Sequence, residues 1–98
     1  MEFKIPEKFN VGGQEINVNI VERIPYNVGE CCISTGLIKI ALTNQNDEKT
    51  TPTYNLNTFL HELTHAILDT MGEQELSRNE KFVSSFSSFL TEAIVTMK

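Results

Sequence analysis

The 98-residue chain predicts an α+β fold, a short sheet followed by two helices, because its side-chain periodicity changes once along its length. Alternation of apolar and polar residues is confined to about residues 8–42, whereas apolar residues recur at helical spacing from about residue 55 onward. Between them lies a polar stretch, Asn44 to Thr53, rich in Asn, Thr and charge and containing Pro52. That composition marks a loop, expected to be mobile.

The sheet elements follow in order. From Gln14 to Val21, Ile16, Val18 and Ile20 alternate with Glu15, Asn17 and Asn19, so one face is expected in the core and the other in water. Gly12-Gly13 supplies the positive backbone angles of a tight turn, which pairs Lys8 to Val11 with that strand as a hairpin. Pro25 to Gly29 breaks the pattern. Glu30 to Ser34 and Leu37 to Leu42 then flank Thr35-Gly36 as a second hairpin, with Ile38, Ile40 and Leu42 on one face. With such short connections the sheet is expected to be mostly antiparallel.

Two helices complete the chain. Leu56, Phe59, Leu60, Leu63, Ala66 and Ile67 form an apolar stripe on a helix from about Asn55 to Met71, and Gly72 is its expected stop. A second helix is expected from about Arg78 to Thr96, with Phe82, Phe86, Phe89, Leu90 and Ala93 as its core face.

Composition bounds the function. At 40% hydrophobic and 21% charged residues the chain is ordinary globular protein, and its length suits one domain with a cleft on one surface. A net charge of −5 with no Lys/Arg cluster argues against nucleic-acid or anionic-membrane partners. The two cysteines, Cys31 and Cys32, are neighbours and offer no disulfide framework, which fits a reducing compartment. Charges threaded through Met1 to Lys8 leave no apolar run for a signal peptide or membrane span, so a cytoplasmic location is expected.

Both histidines fall in His61-Glu62-Leu63-Thr64-His65. Four residues apart on a helix, the two imidazoles share a face and can hold one metal ion, with Glu62 a quarter turn away as the base for a water in an open coordination position. Two histidines hold zinc poorly, so a third ligand is needed. An eleven-residue extension of the motif would need glycine and histidine where the chain has Leu68 and Met71, and no further histidine exists. A carboxylate, or less plausibly a thiolate, remains. Glu80, 15 residues after His65 and opening the next helix, ranks first, then Glu75 near the turn, then Glu92 further along the helix. Asp69 is a candidate for hydrogen bonding behind the ligands or for simple solvation. Glu80 has a competing role, because Ser77-Arg78-Asn79-Glu80 also reads as a capping box.

With His61, Glu62, His65 and the downstream Asn79-Glu80, the chain resembles the gluzincin group of zinc metallopeptidases, most closely its compact bacterial and phage members. The order of elements agrees from about Gln14 to Thr96. The resemblance implies a zincin-like fold, zinc held by His61, His65 and Glu80, and Glu62 as base and proton shuttle in peptide-bond hydrolysis. The pattern departs from the group at Ser84, where relatives often carry an aspartate that orients a histidine.

Hydrolysis of a peptide or protein substrate also calls for an oxyanion donor, for which Tyr54 and Tyr26 are the candidates. The strand Leu37 to Leu42, if it forms the sheet edge beside the zinc, would hold an extended peptide as an added strand. The rival expectations are a non-catalytic zinc-binding module on the same fold, or an interaction protein that docks a partner through its acidic surface and the loop from Asn44 to Thr53.

Overall fold

The computed structural model describes residues 4–98, so Met1 to Phe3 of the charged N-terminal stretch lie outside the described residues. The fold is α+β, with four strands followed by helices. Strands β1 (Lys8–Val11) and β2 (Gln14–Val21) form the expected hairpin over Gly12 and Gly13, both at positive φ. Strand β3 (Gly29–Cys32) is joined to β4 (Leu37–Ala41) by a single 3-10 turn, Ile33–Thr35, and pairs with it antiparallel.

The order across the sheet is β1-β2-β4-β3, with β4 inserted between β2 and β3 and parallel to β2. Two of the three pairings are antiparallel, as expected, but β4 is not an edge. The sequence expectation of Leu37 to Leu42 as the free edge is therefore corrected: β4 pairs with β2 on one side and β3 on the other, so its amides and carbonyls are already hydrogen-bonded and cannot be offered to a ligand. Strand β3 occupies that position instead.

Helix α1 (Pro52–Met71) lies across the sheet. It begins three residues before the expected start, because Pro52 takes the first helical turn, where its fixed φ is already helical, and the Thr51 hydroxyl caps the Tyr54 amide. At its other end Gly72 adopts the left-handed conformation that closes the last turn. The core is built where Ile16, Val18, Ile38 and Ile40 of the sheet meet Leu56, Phe59 and Leu60 of α1, with Phe9 edge-on to Phe59 at 5.8 Å between ring centroids. Each such side chain contributes about 1.5–3 kcal/mol by leaving water. Ile20, at the end of the buried row of β2, is exposed.

A short helix not anticipated from the sequence, α2 (Gln74–Arg78), turns the chain into α3 (Glu80–Thr96). The face that α3 buries is Val83, Ser87 and Thr91, supported by Leu90 and Ile94. The expected phenylalanine face is wrong by about one residue of rotation: Phe82, Phe86 and Phe89 are exposed, the last by 72%, and Phe82 stacks on Phe86 in the solvent-facing layer. The reason is distance. Ser87 and Thr91 permit close approach of α3 to α1, whereas a row of phenyl rings would hold the axes apart. Both hydroxyls are satisfied by carbonyls of their own helix, and Thr91 Oγ1 also lies 3.1 Å from the Asn57 side-chain oxygen on α1.

The polar loop after β4 is internally bonded. Asn44 Oδ1 accepts from the amides of Asn46 and Glu48, and Arg23 pairs with Asp47. Gln45 accepts from the Tyr26 amide and donates to the Asn27 carbonyl, pinning the turn that leads into β3. No helix among the described residues is long and apolar enough to cross a membrane.

Candidate metal centre

The antiparallel packing of α1 and α3 decides what meets at the site. The Thr91–Asn57 contact fixes one end of the pair, and at the other end the first residue of α3 comes level with the middle of α1. Glu80 Oε2 lies 3.3 Å from His61 Nε2, and Glu80 Oε1 lies 3.3 Å from His65 Nε2. The three side chains offer one ligand atom each, all within 4.8 Å of one another.

The two His–Glu separations, each to a different oxygen of Glu80, suit a shared metal ion. Two donors bound tetrahedrally at the usual zinc distances are separated by about 3.3–3.4 Å, the tetrahedron edge for bonds of about 2.0–2.1 Å. His61, His65 and Glu80 therefore form a cluster near enough to bind a metal. Protein-family models, curated proteins and solved structures were compared with the chain, and none matches it.

The electrostatics agree with such a role. Burial lowers the pKa of His61, only partly offset by the attraction of Glu80, which keeps its nitrogen lone pair free at neutral pH. A neutral His65 that gives its Nε2 lone pair to a cation carries its proton on Nδ1, and that N–H has an acceptor in Ser77 Oγ, 3.0 Å away. Ser77 is itself only 6% exposed. The hydrogen bond behind His65 thus comes from the residue before the end of α2, not from Ser84 on α3.

This pairing also removes the capping box. The Ser77 side chain is committed to His65, and the cap of α3 is Asn79, whose Oδ1 accepts from the Phe82 amide at 3.1 Å. Glu80, relieved of a capping role, is free to face the histidines. Glu75 and Glu92 are exposed and outside the cluster, and both cysteines and the half-buried Asp69 also lie outside it. Cys31 is half-buried on β3 and Cys32 is exposed.

Glu62 sits beside the cluster and ligates nothing. It is 8% exposed, and burial, followed by the negative charges of Glu80 and Glu30, pushes its carboxyl up to about 7. A cleft of about 220 Å³ opens over it, walled by Asn27 and Gly29 from the sheet side and by Tyr54, Asn57 and His61 from α1. Of the two tyrosines singled out in the sequence, Tyr54 lines this cleft. Tyr26 does not: it is 92% exposed at the tip of its turn, with positive φ. Asn27 and Asn57 are donors the sequence reading missed. Asn57 had a signal, since it lies one helical turn before His61 on the same face.

Proposed function

We propose that the protein is a zinc-dependent hydrolase of peptide bonds, with a zincin-like fold of the gluzincin type. The observation that carries this reading is the convergence of two imidazole nitrogens and one carboxylate on a single point, with a second, buried carboxylate, Glu62, in the adjoining cleft. A purely structural metal site would be closed by four protein ligands and would need no such neighbour.

His61, His65 and Glu80 would hold the ion, and two imidazoles with a carboxylate are a donor set suited to zinc. Bound there, Zn²⁺ would supply a Lewis acid for the scissile carbonyl and acidify a water molecule towards neutral pH. Glu62 takes the proton from the attacking water and delivers it to the leaving amine nitrogen. Its raised pKa suits both halves of that task, because a base that titrates near neutrality also gives up its proton readily. Tyr54, Asn27 and Asn57 line the cleft as hydrogen-bond donors to the substrate carbonyl. The substrate lies extended along β3, whose outer edge has no partner strand among the described residues.

The test is metal analysis of the purified protein, followed by cleavage of a peptide library with and without chelator. One equivalent of zinc and chelator-sensitive cleavage are expected, and Glu62→Gln should keep the zinc and lose the cleavage. Stoichiometric zinc without cleavage of any peptide would reassign the site to binding.

A further inference from the structure

Gly29 has no conformational reason to be glycine. It opens β3, paired with Ile40, and is not among the glycines at positive φ. A glycine inside a strand weakens it and usually marks a close approach by something else.

Here the approaching group is the base. The face of Gly29 looks at α1, and a methyl group placed there would stand 2.6 Å from Thr58 Cγ2, 3.0 Å from Glu62 Oε2 and 3.1 Å from Glu62 Cγ. Thr58 cannot easily yield, because it is β-branched and its hydroxyl is bonded to the Tyr54 carbonyl one turn back. Glu62 is the flexible member of the pair. A side chain at position 29 would therefore strain the contact with Thr58 and, separately, push the Glu62 carboxylate aside by a few tenths of an ångström.

We propose that Gly29 is a positioning residue: by presenting bare backbone, it lets the Glu62 carboxylate rest against the edge strand and fixes its place relative to a substrate lying along that strand. This inference rests on the hydrolytic reading above, and it extends the machinery from α1 and α3 to the sheet.

The experiment compares Gly29→Ala with the double variant Gly29→Ala/Thr58→Ser, in which the 2.6 Å contact is relieved while the Thr58 hydroxyl function and the Glu62 contacts remain. In Gly29→Ala, zinc stoichiometry and KM should be preserved while kcat falls by up to about 10-fold. That is less than the roughly 100-fold of a full ångström of misplacement, because the contacts at 3.0 and 3.1 Å ask Glu62 to give by a few tenths of an ångström. The double variant should recover thermal stability but not kcat, and it stands in should the single variant fold poorly. Crystal structures of the zinc-loaded variants should show the Glu62 carboxylate displaced from its wild-type position. An unmoved carboxylate, or a kcat restored by Thr58→Ser, overturns the proposal in favour of simple packing. Because the displacement is read without turnover, a wild-type protein that binds zinc and cleaves nothing would count against the hydrolase alone.

Discussion

Ser77 Oγ and His65 Nδ1 stand 3.0 Å apart, bringing the end of α2 to the back of a ligand twelve residues earlier in the chain. A histidine held this way keeps its tautomer and its ring plane, so the metal does not have to order it on binding. Ser77→Ala should therefore weaken zinc binding about 10–100-fold while the fold is retained. Competition with a chromogenic chelator measures this directly, and an unchanged affinity would assign Ser77 to packing alone.

The sequence and the structure agree most closely where periodicity or covalent constraint decides. The pairing of β1 with β2, the Gly12-Gly13 turn and the His-Glu-x-x-His helix all depend on neighbours in the chain, and all are found where expected. The place of Glu80 beside the histidines was legible because a hairpin of helices returns the start of the last helix to them. The failures are tertiary. Nothing local distinguishes a face of phenylalanines from a face of Val83, Ser87 and Thr91 until the helix that must fit against it is in place, and hydrophobicity alone points to the wrong one. Likewise the insertion of β4 between β2 and β3 follows from how the whole sheet packs under α1, not from the sequence of β4. The spacing of Ser77 to Glu80 also matches a capping box, whereas α2 turns Ser77 towards His65.

Adjacent residues at the start of α3 divide two roles that sequence alone assigned to one. Asn79→Ala should cost about 1 kcal/mol of stability by exposing the Phe82 amide, with zinc stoichiometry unchanged. Glu80→Ala should lose the metal with little effect on the stability of the metal-free protein, since its carboxylate caps nothing. Thermal denaturation with and without zinc separates them: added zinc should raise the melting temperature of Asn79→Ala but not of Glu80→Ala. The reverse pattern would make Glu80 the cap.

The buried carboxyl of Glu62 has a signature in the metal-free protein. Its pKa rises from 4.5 to about 7 on folding, so between those values the folded chain holds a proton that the unfolded chain has released. The Glu62 contribution to stability therefore declines as pH rises from about 4.5 to about 7 and is level above, with a total change of roughly 3 kcal/mol at most. His61 acts with the opposite sign, since its lowered pKa makes the folded chain bind less proton below pH 6.5. Comparing wild type with Glu62→Gln in chelator cancels the histidine, whose shift owes nothing to Glu62. The stability advantage of Glu62→Gln should grow across this window in urea melts, and parallel curves would show that the carboxyl is not held in an apolar setting.

The close approach of α3 to α1 predicts an inversion of the usual hydrophobic expectation. Phe86 is exposed, so Phe86→Ser should change stability by no more than about 0.5 kcal/mol, although it removes one of the largest side chains on the helix. Ser87 is fully buried, and Ser87→Leu adds apolar volume where the helices touch. Overpacking of this kind costs about 1–3 kcal/mol. It should also weaken zinc binding, because prying α3 away from α1 lengthens both 3.3 Å separations between Glu80 and the histidine nitrogens. Urea denaturation and zinc titration on the two variants test the geometry together: if Phe86→Ser proves the more damaging in both measurements, the phenylalanine face is the buried one and the helix is rotated from the position described.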